Sequence, residues 1–206
     1  MLIDALYEAV KAGGWVLLPI FVAGAWAFYI LFMLIRNVGL DMYRKNSDEM
    51  VHDVALLLKE KKFFEAEQLL KKYPGIISRN LRLAIKFHRM TGSGLSNKLK
   101  ERVGQNLSSI DRGLQLAVVL AGLAPLLGLL GTVTGMMSTF EVITLYGNSN
   151  PGLMAGGISE ALITTQSGLV IAFPLVLIIH RVEDRIQWVK KQIELGITLI
   201  LKELNK

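Results

Sequence analysis

Three stretches of this 206-residue sequence are apolar for long enough to cross a bilayer: Trp15 to Ile35, about Leu116 to Thr139, and about Ile158 to Ile179. A helix rises roughly 1.5 Å per residue, so about 20 apolar residues match the ~30 Å of a hydrocarbon core. The composition agrees with this, because 52% of residues are hydrophobic, 19% are charged and the mean hydropathy is +0.44. Such a chain is expected to be an all-α membrane protein with three transmembrane helices and a polar part.

Basic residues set the expected orientation, since lysine and arginine are retained on the cytoplasmic side. Lys11 alone precedes Trp15, sixteen basic residues fall in 36–112, none fall in 140–157, and six fall in 181–206. The expected order is an external arm (1–14), a first span (15–35), a cytoplasmic helical region (36–114), a second span (115–140), an external connection (141–157), a third span (158–180) and a cytoplasmic tail helix (181–206). The N-terminus is then outside, and long helices extend into the cytoplasm. Asp4 and Glu8 stand where a cleavable signal would carry basic residues, so the first span reads as retained.

The polar region reads as helices. Ser47 followed by Asp48 and Glu49 fits a helix start, with Val51, Val54, Leu57 and Leu58 at helical spacing after it. Phe63, Phe64, Ala66, Leu69 and Leu70 mark a second helix that Tyr73-Pro74-Gly75 ends, and a third is expected over Ile76 to Met90, stopped by Thr91-Gly92-Ser93-Gly94. From Ser96 no strong breaker intervenes before the second span, so one helix should run from the polar region into the bilayer, with Gly104 and Gly113 as places where it could bend.

Several functions find no support. The chain contains no cysteine, which removes disulfides, thiolate metal sites and thiol nucleophiles. His52, His88 and His180 lack neighbouring ligands at metal-binding spacing, and neither a phosphate loop nor a nucleophile elbow is present. Nothing argues for an enzyme, a cofactor or a metal. The formal net charge of +6 flanks the spans, which fits topology and anionic lipid better than nucleic acid.

Projected at about 100° per residue, Ala121, Pro125, Gly128, Gly135 and Thr139 all fall within about 60° of Thr132. A face of small residues permits close helix packing, and its hydroxyls would also suit the border of a polar pathway. In the third span Thr164 and Ser167 lie within about 40° of Glu160, and Thr165 lies about 140° away. Glu160 is either an acid capping the start of its helix or a functional group, since a charge deep in a bilayer costs roughly 3 kcal/mol or more. Thr164 and Ser167 beneath it favour a proton or water path, because hydroxyls donate and accept. Pro125 and Pro174 interrupt backbone bonding in the second and third spans, as tolerated kinks or as sites of bending.

The stretches APLLGLLGTVTGMMSTF (124–140) and PGLMAGGISEALITTQSGLVIAFPLVLIIH (151–180) resemble the MotA/TolQ/ExbB proton-channel family, most closely its ExbB/TolQ branch. The resemblance implies a multi-pass subunit of a bacterial inner-membrane motor. It implies a homopentamer whose second and third spans line a pore, with single-span helices of an ExbD/TolR-like partner inside it. A partner aspartate carries the proton, and the proton-motive force drives work on a TonB- or TolA-like protein. The family's pore threonine falls on Thr132, its glutamate on Glu160 and its second threonine on Thr165, whereas the helical projection selects Thr164. Gln166-Ser167 departs from the ExbB pattern by its polarity, and Gly128, Gly135 and Gly168 are assigned to packing. A non-conducting membrane scaffold is the alternative, and a flagellar-type stator, which usually has an extra span, is a more distant one.

Overall fold

The computed structural model describes residues 10, 12–42, 47–73, 75–91, 96–147 and 151–204, and the described residues contain helices and turns with no strand. The helices are α1 (Leu17–Met42), α2 (Ser47–Lys59), α3 (Phe63–Lys72), α4 (Ile76–Thr91), α5 (Ser96–Tyr146) and α6 (Pro151–Leu204). Three of them, α1, α5 and α6, are long and apolar enough to cross a membrane. Only 28% of each hydrophobic window is buried within the chain, so most of each span is left to face lipid or other subunits.

The chain divides into two compact units. The membrane unit holds residues 1–31 and 115–180, and the polar unit holds 32–114 and 181–206. α5 and α6 each contribute to both.

The single helix expected from Ser96 through the second span is present as 51 unbroken residues, about 75 Å at the usual rise. It continues through Gly104, Gly113 and Pro125. The third span and the tail, separated by sequence reading, form one 54-residue helix that includes Pro174. That helix opens on Pro151, where a missing N–H is harmless because first-turn amides have no intrahelical acceptor. The connection expected over 141–157 is therefore mostly helical, since α5 persists to Tyr146. Low charge and few breakers allow both helices to outlast the hydrocarbon.

In the polar unit α2 packs on α3 and α3 on α4. Val51, Val54 and Leu58 of α2, Ala66 and Leu70 of α3, and Ile77, Leu81, Ala84 and Ile85 of α4 form the buried faces. α2 ends in a turn that no glycine marks in the sequence. Lys62 N–H donates to Leu57 O (2.9 Å) and Lys61 N–H to Leu58 O (3.0 Å), with Lys61 at φ 57°. This is a Schellman closure with lysine where glycine is usual. In α4 the buried Ser78 hydroxyl bonds to Tyr73 O and Gly75 O, and Asn80 Nδ2 donates to Ile76 O (2.8 Å). Buried polar groups here are thus satisfied by local backbone. The stop expected at Gly92–Gly94 lies outside the described residues.

Candidate functional site

The membrane unit is organised by α6, which is in contact with α5 on one side and with the start of α1 on another. Along α5 the buried residues are Ala117, Ala121, Ala124, Gly128, Gly131, Gly135 and Thr139, recurring every three or four positions. Along α6 they are Gly157, Ala161, Thr164, Gly168, Ala172, Leu175 and Ile179. Both stripes follow one face of a helix, and nearly every member is small.

Close approach of backbones is the result. A methyl carbon placed on Gly135 would lie 2.6 Å from the Gly157 carbonyl oxygen, and one on Gly157 would lie 2.6 Å from the Gly135 carbonyl oxygen. Gly168 has the same relation to the Ala124 carbonyl, at 2.6 Å. At such separations α-carbon hydrogens face carbonyls on the opposite helix, a weak attraction that only glycine permits at these positions. On Gly131 an added carbon would collide with the Thr164 side chain.

The hydroxyls divide between two environments. Thr164 is fully buried, and its Oγ1 bonds within α6 to Glu160 O (3.0 Å) and Ala161 O (2.9 Å). Thr165 is half-buried, and its Oγ1 reaches across to Gly128 O of α5 (3.1 Å) as well as to Ala161 O (3.2 Å). The Gly128 carbonyl is the one that the Thr132 amide faces within α5, so Thr165 sits one helical turn from Thr132. Thr132 is also half-buried and donates to Leu129 O at 2.6 Å. Thr139, at the end of the same stripe, is buried and bonded to Gly135 O (3.1 Å).

Glu160 belongs to a different edge of α6. It is half-buried, and its carboxylate occupies the space beside Gly14, where a methyl carbon would fall on Oε1 and lie 2.6 Å from Cδ. Glu160 is the tenth residue of α6, which excludes the reading of it as a cap for its own helix. Ser167 and Ile171 follow along the same edge, Ser167 half-buried and Ile171 against Gly24 of α1. Pro125 and Pro174 are half-buried inside their helices.

The structure thus brings Thr165 together with Gly128, Gly168 with Ala124, and Gly135 with Ala161, while Glu160 meets the chain before α1 instead of the α5 hydroxyls. Sequence reading missed Gly131 and Gly157, although both continue the three-and-four spacing that marked their neighbours. It also missed Gly14, for which the signal was a Gly13-Gly14 pair just before an apolar run.

The family model described as the MotA/TolQ/ExbB proton channel family matches residues 74–195. The chain belongs to that family. It is 32% identical over 139 residues to a putative biopolymer transport protein ExbB homolog of Methanothermobacter thermautotrophicus, covering 64% of this chain and 49% of that one. It is 30% identical over 153 residues to the biopolymer transport protein ExbB of Pseudomonas putida, covering 68% and 46%. The Tol-Pal system protein TolQ of Haemophilus influenzae matches over 98 residues at 28% identity, covering 48% and 43%. These relatives support the ExbB/TolQ branch, and the chain spans about half or less of the length of the curated relatives it matches.

Proposed function

We propose that the chain is the proton-channel subunit of an ExbB/TolQ-type inner-membrane motor, converting proton-motive force into work on a TonB- or TolA-like protein. The observation that carries this reading is the Thr165 hydroxyl bonded to the Gly128 carbonyl beside Thr132. The Thr132 and Thr165 hydroxyls both direct their protons at backbone carbonyls. Their oxygens are left as acceptors, able to orient water or hydronium hydrogens along the α5–α6 seam. Thr164 is enclosed between helices and bonded within α6, which supports Thr165 over Thr164 as the residue that serves the path.

In this reading α5 and α6 line a pore built by five copies, and an ExbD/TolR-like single-span helix supplies the aspartate that carries the proton. Glu160 is an entrance or positioning group, with the N-terminus outside and the polar unit in the cytoplasm. The mostly exposed spans support assembly with other subunits in the bilayer.

The test is proton uptake by proteoliposomes holding the chain and its single-span partner. Glu160→Gln and Thr165→Val should each reduce uptake severalfold, and Thr164→Val should reduce stability more than uptake. Uptake unchanged by both Glu160→Gln and Thr165→Val would remove them from the path. The glycine-lined seam also favours a second reading, a non-conducting scaffold, for which wild-type vesicles with the partner would take up no protons at all.

A further inference from the structure

The Glu160 carboxylate lies against a backbone turn that has no side chain to displace it. Gly14 has φ +67°, a left-handed conformation, and an added methyl carbon would collide with the carboxylate. Glycine is required there for two separate reasons. Gly147 has nearly the same conformation, φ +63°, but nothing lies within 4 Å of where its side chain would begin. Conformation alone operates at that position.

The turn is held on α6 from both sides. A methyl carbon on Gly13 would lie 3.0 Å from Ile163 Cγ2, and one on Gly24, within α1, would lie 2.6 Å from Ile171 Cγ2. Ile163 and Ile171 fall within about 60° of Glu160 around α6, so three contacts follow one edge of the helix. Just after the turn, Leu17 N–H donates to Gly14 O and Leu18 N–H to Trp15 O, both at 3.3 Å, so the chain enters α1 directly from Gly14.

We propose that Gly14 is a positioning residue for Glu160: the turn that leads into α1 seats the carboxylate, and the missing side chain at position 14 is what admits it. The first span then does more than anchor the subunit, since its entry sets where along α6 the acid sits. This rests on the reading of Glu160 as a group on the proton path.

Proton uptake by proteoliposomes of the full chain with its single-span partner tests it, using Gly14→Ala, Gly147→Ala, Glu160→Gln and the doubles Gly14→Ala/Glu160→Asp and Gly14→Ala/Glu160→Gln. Gly14→Ala should slow uptake on the order of tenfold or more, since misplacement of a functional group by about an ångström can cost up to roughly a hundredfold. Gly147→Ala, with the same backbone strain and no collision, should stay close to wild type. Adding Glu160→Asp to Gly14→Ala should restore part of the rate, because the acid is drawn back by one methylene, and adding Glu160→Gln should slow uptake no further than Glu160→Gln alone. The proposal is overturned if Gly14→Ala slows uptake no more than Gly147→Ala, or if its effect multiplies with that of Glu160→Gln. If wild-type vesicles conduct no protons, the channel reading falls and takes this one with it; if they conduct and only Gly14→Ala is silent, this one falls alone. Seating of the turn is checked without flux. The chain has no cysteine, so a Gly13→Cys/Ile163→Cys pair should form an intrachain disulfide in membranes, and its failure to form under oxidation would count against the docked turn.

Discussion

α6 is one helix with two kinds of contact face. In the membrane unit its buried residues are Gly157, Ala161, Thr164, Gly168 and Ala172, with Leu175 and Ile179 only where that unit ends, and in the polar unit they are mostly branched aliphatics, Val182, Ile186, Val189, Ile193, Ile197 and Ile200, with Gln192 and Gly196 among them. Spacing is the same in both halves, and side-chain size is not. Lipid tails are as apolar as leucine, so burying leucine between membrane helices gains little, and association depends on close backbone approach and interhelical hydrogen bonds. In water the removal of branched aliphatic side chains is itself the driving force, at about 25 cal/mol per Å². Gly196, buried against Leu81, is an exception in the polar half, where a small residue makes room for a large one.

The comparison is broken most severely by filling the glycine seam. Gly135→Leu would drive a side chain into the Gly157 carbonyl and Ala161, and backbone on both sides leaves no room to yield. Destabilisation of about 3 kcal/mol or more is expected, read as a fall in thermal unfolding temperature in detergent. The reverse change, Ile193→Ala in the polar unit, should cost about 2–3 kcal/mol through lost burial and the cavity left behind. Leu169→Ala, 56% exposed on the membrane half of α6, should cost much less in the isolated chain. If Leu169→Ala matched Ile193→Ala in detergent, the contrast between the two halves would be wrong.

Smaller effects sharpen the same contrast. Lys190 Nζ pairs with Asp111 Oδ2 at 2.7 Å, joining α6 to α5 in the polar unit, with both groups partly solvated. Lys190→Met should cost about 1 kcal/mol or less, and the loss should shrink as salt is added. The smallest effect belongs to Glu60 and Lys62, a 2.8 Å pair on the exposed α2–α3 turn. The hydrogen bond from Lys62, and then its charge, hold the Glu60 carboxyl below the usual carboxylate range. A lowered folded pKa contributes stability that is present above the unfolded pKa and is lost as pH falls through the folded one. Lys62→Met should therefore leave stability almost unchanged at neutral pH and slightly flatten its decline in acid, as followed by melts across the acidic range.

Much of the fold was legible because a bilayer imposes length and water imposes periodicity. Trp15 to Ile35 announced α1 by apolar length, and Val51, Val54 and Leu58 announced α2 by spacing. The α2–α3 boundary was less legible, since Lys61 takes a left-handed conformation without being glycine. Helix ends near 146 and 151 were hidden because apolarity ends where the hydrocarbon ends, while the helix continues as long as its hydrogen bonds do. In the candidate site, the small-residue stripe of α5 could be projected from sequence. Its partner on α6 was visible only in part, because Glu160 and Ser167 drew the projection toward the edge that meets α1.

What the sequence determined alone was that the spans and most of the polar region are helical, their amphipathic or apolar character, and the residue types placed at each angle around them. Covalent spacing and the rise of a helix are local quantities, so they can be computed without knowing any neighbour. Only the tertiary structure decided what stands opposite each angle. Thr164 and Thr165 differ by about 100° of rotation, and this alone separates a hydroxyl enclosed within packed helices from one that bonds to Gly128 of α5. Nor could any periodicity assign Gly14 to Glu160, for the two are far apart in sequence and meet only because α1 and α6 pack together.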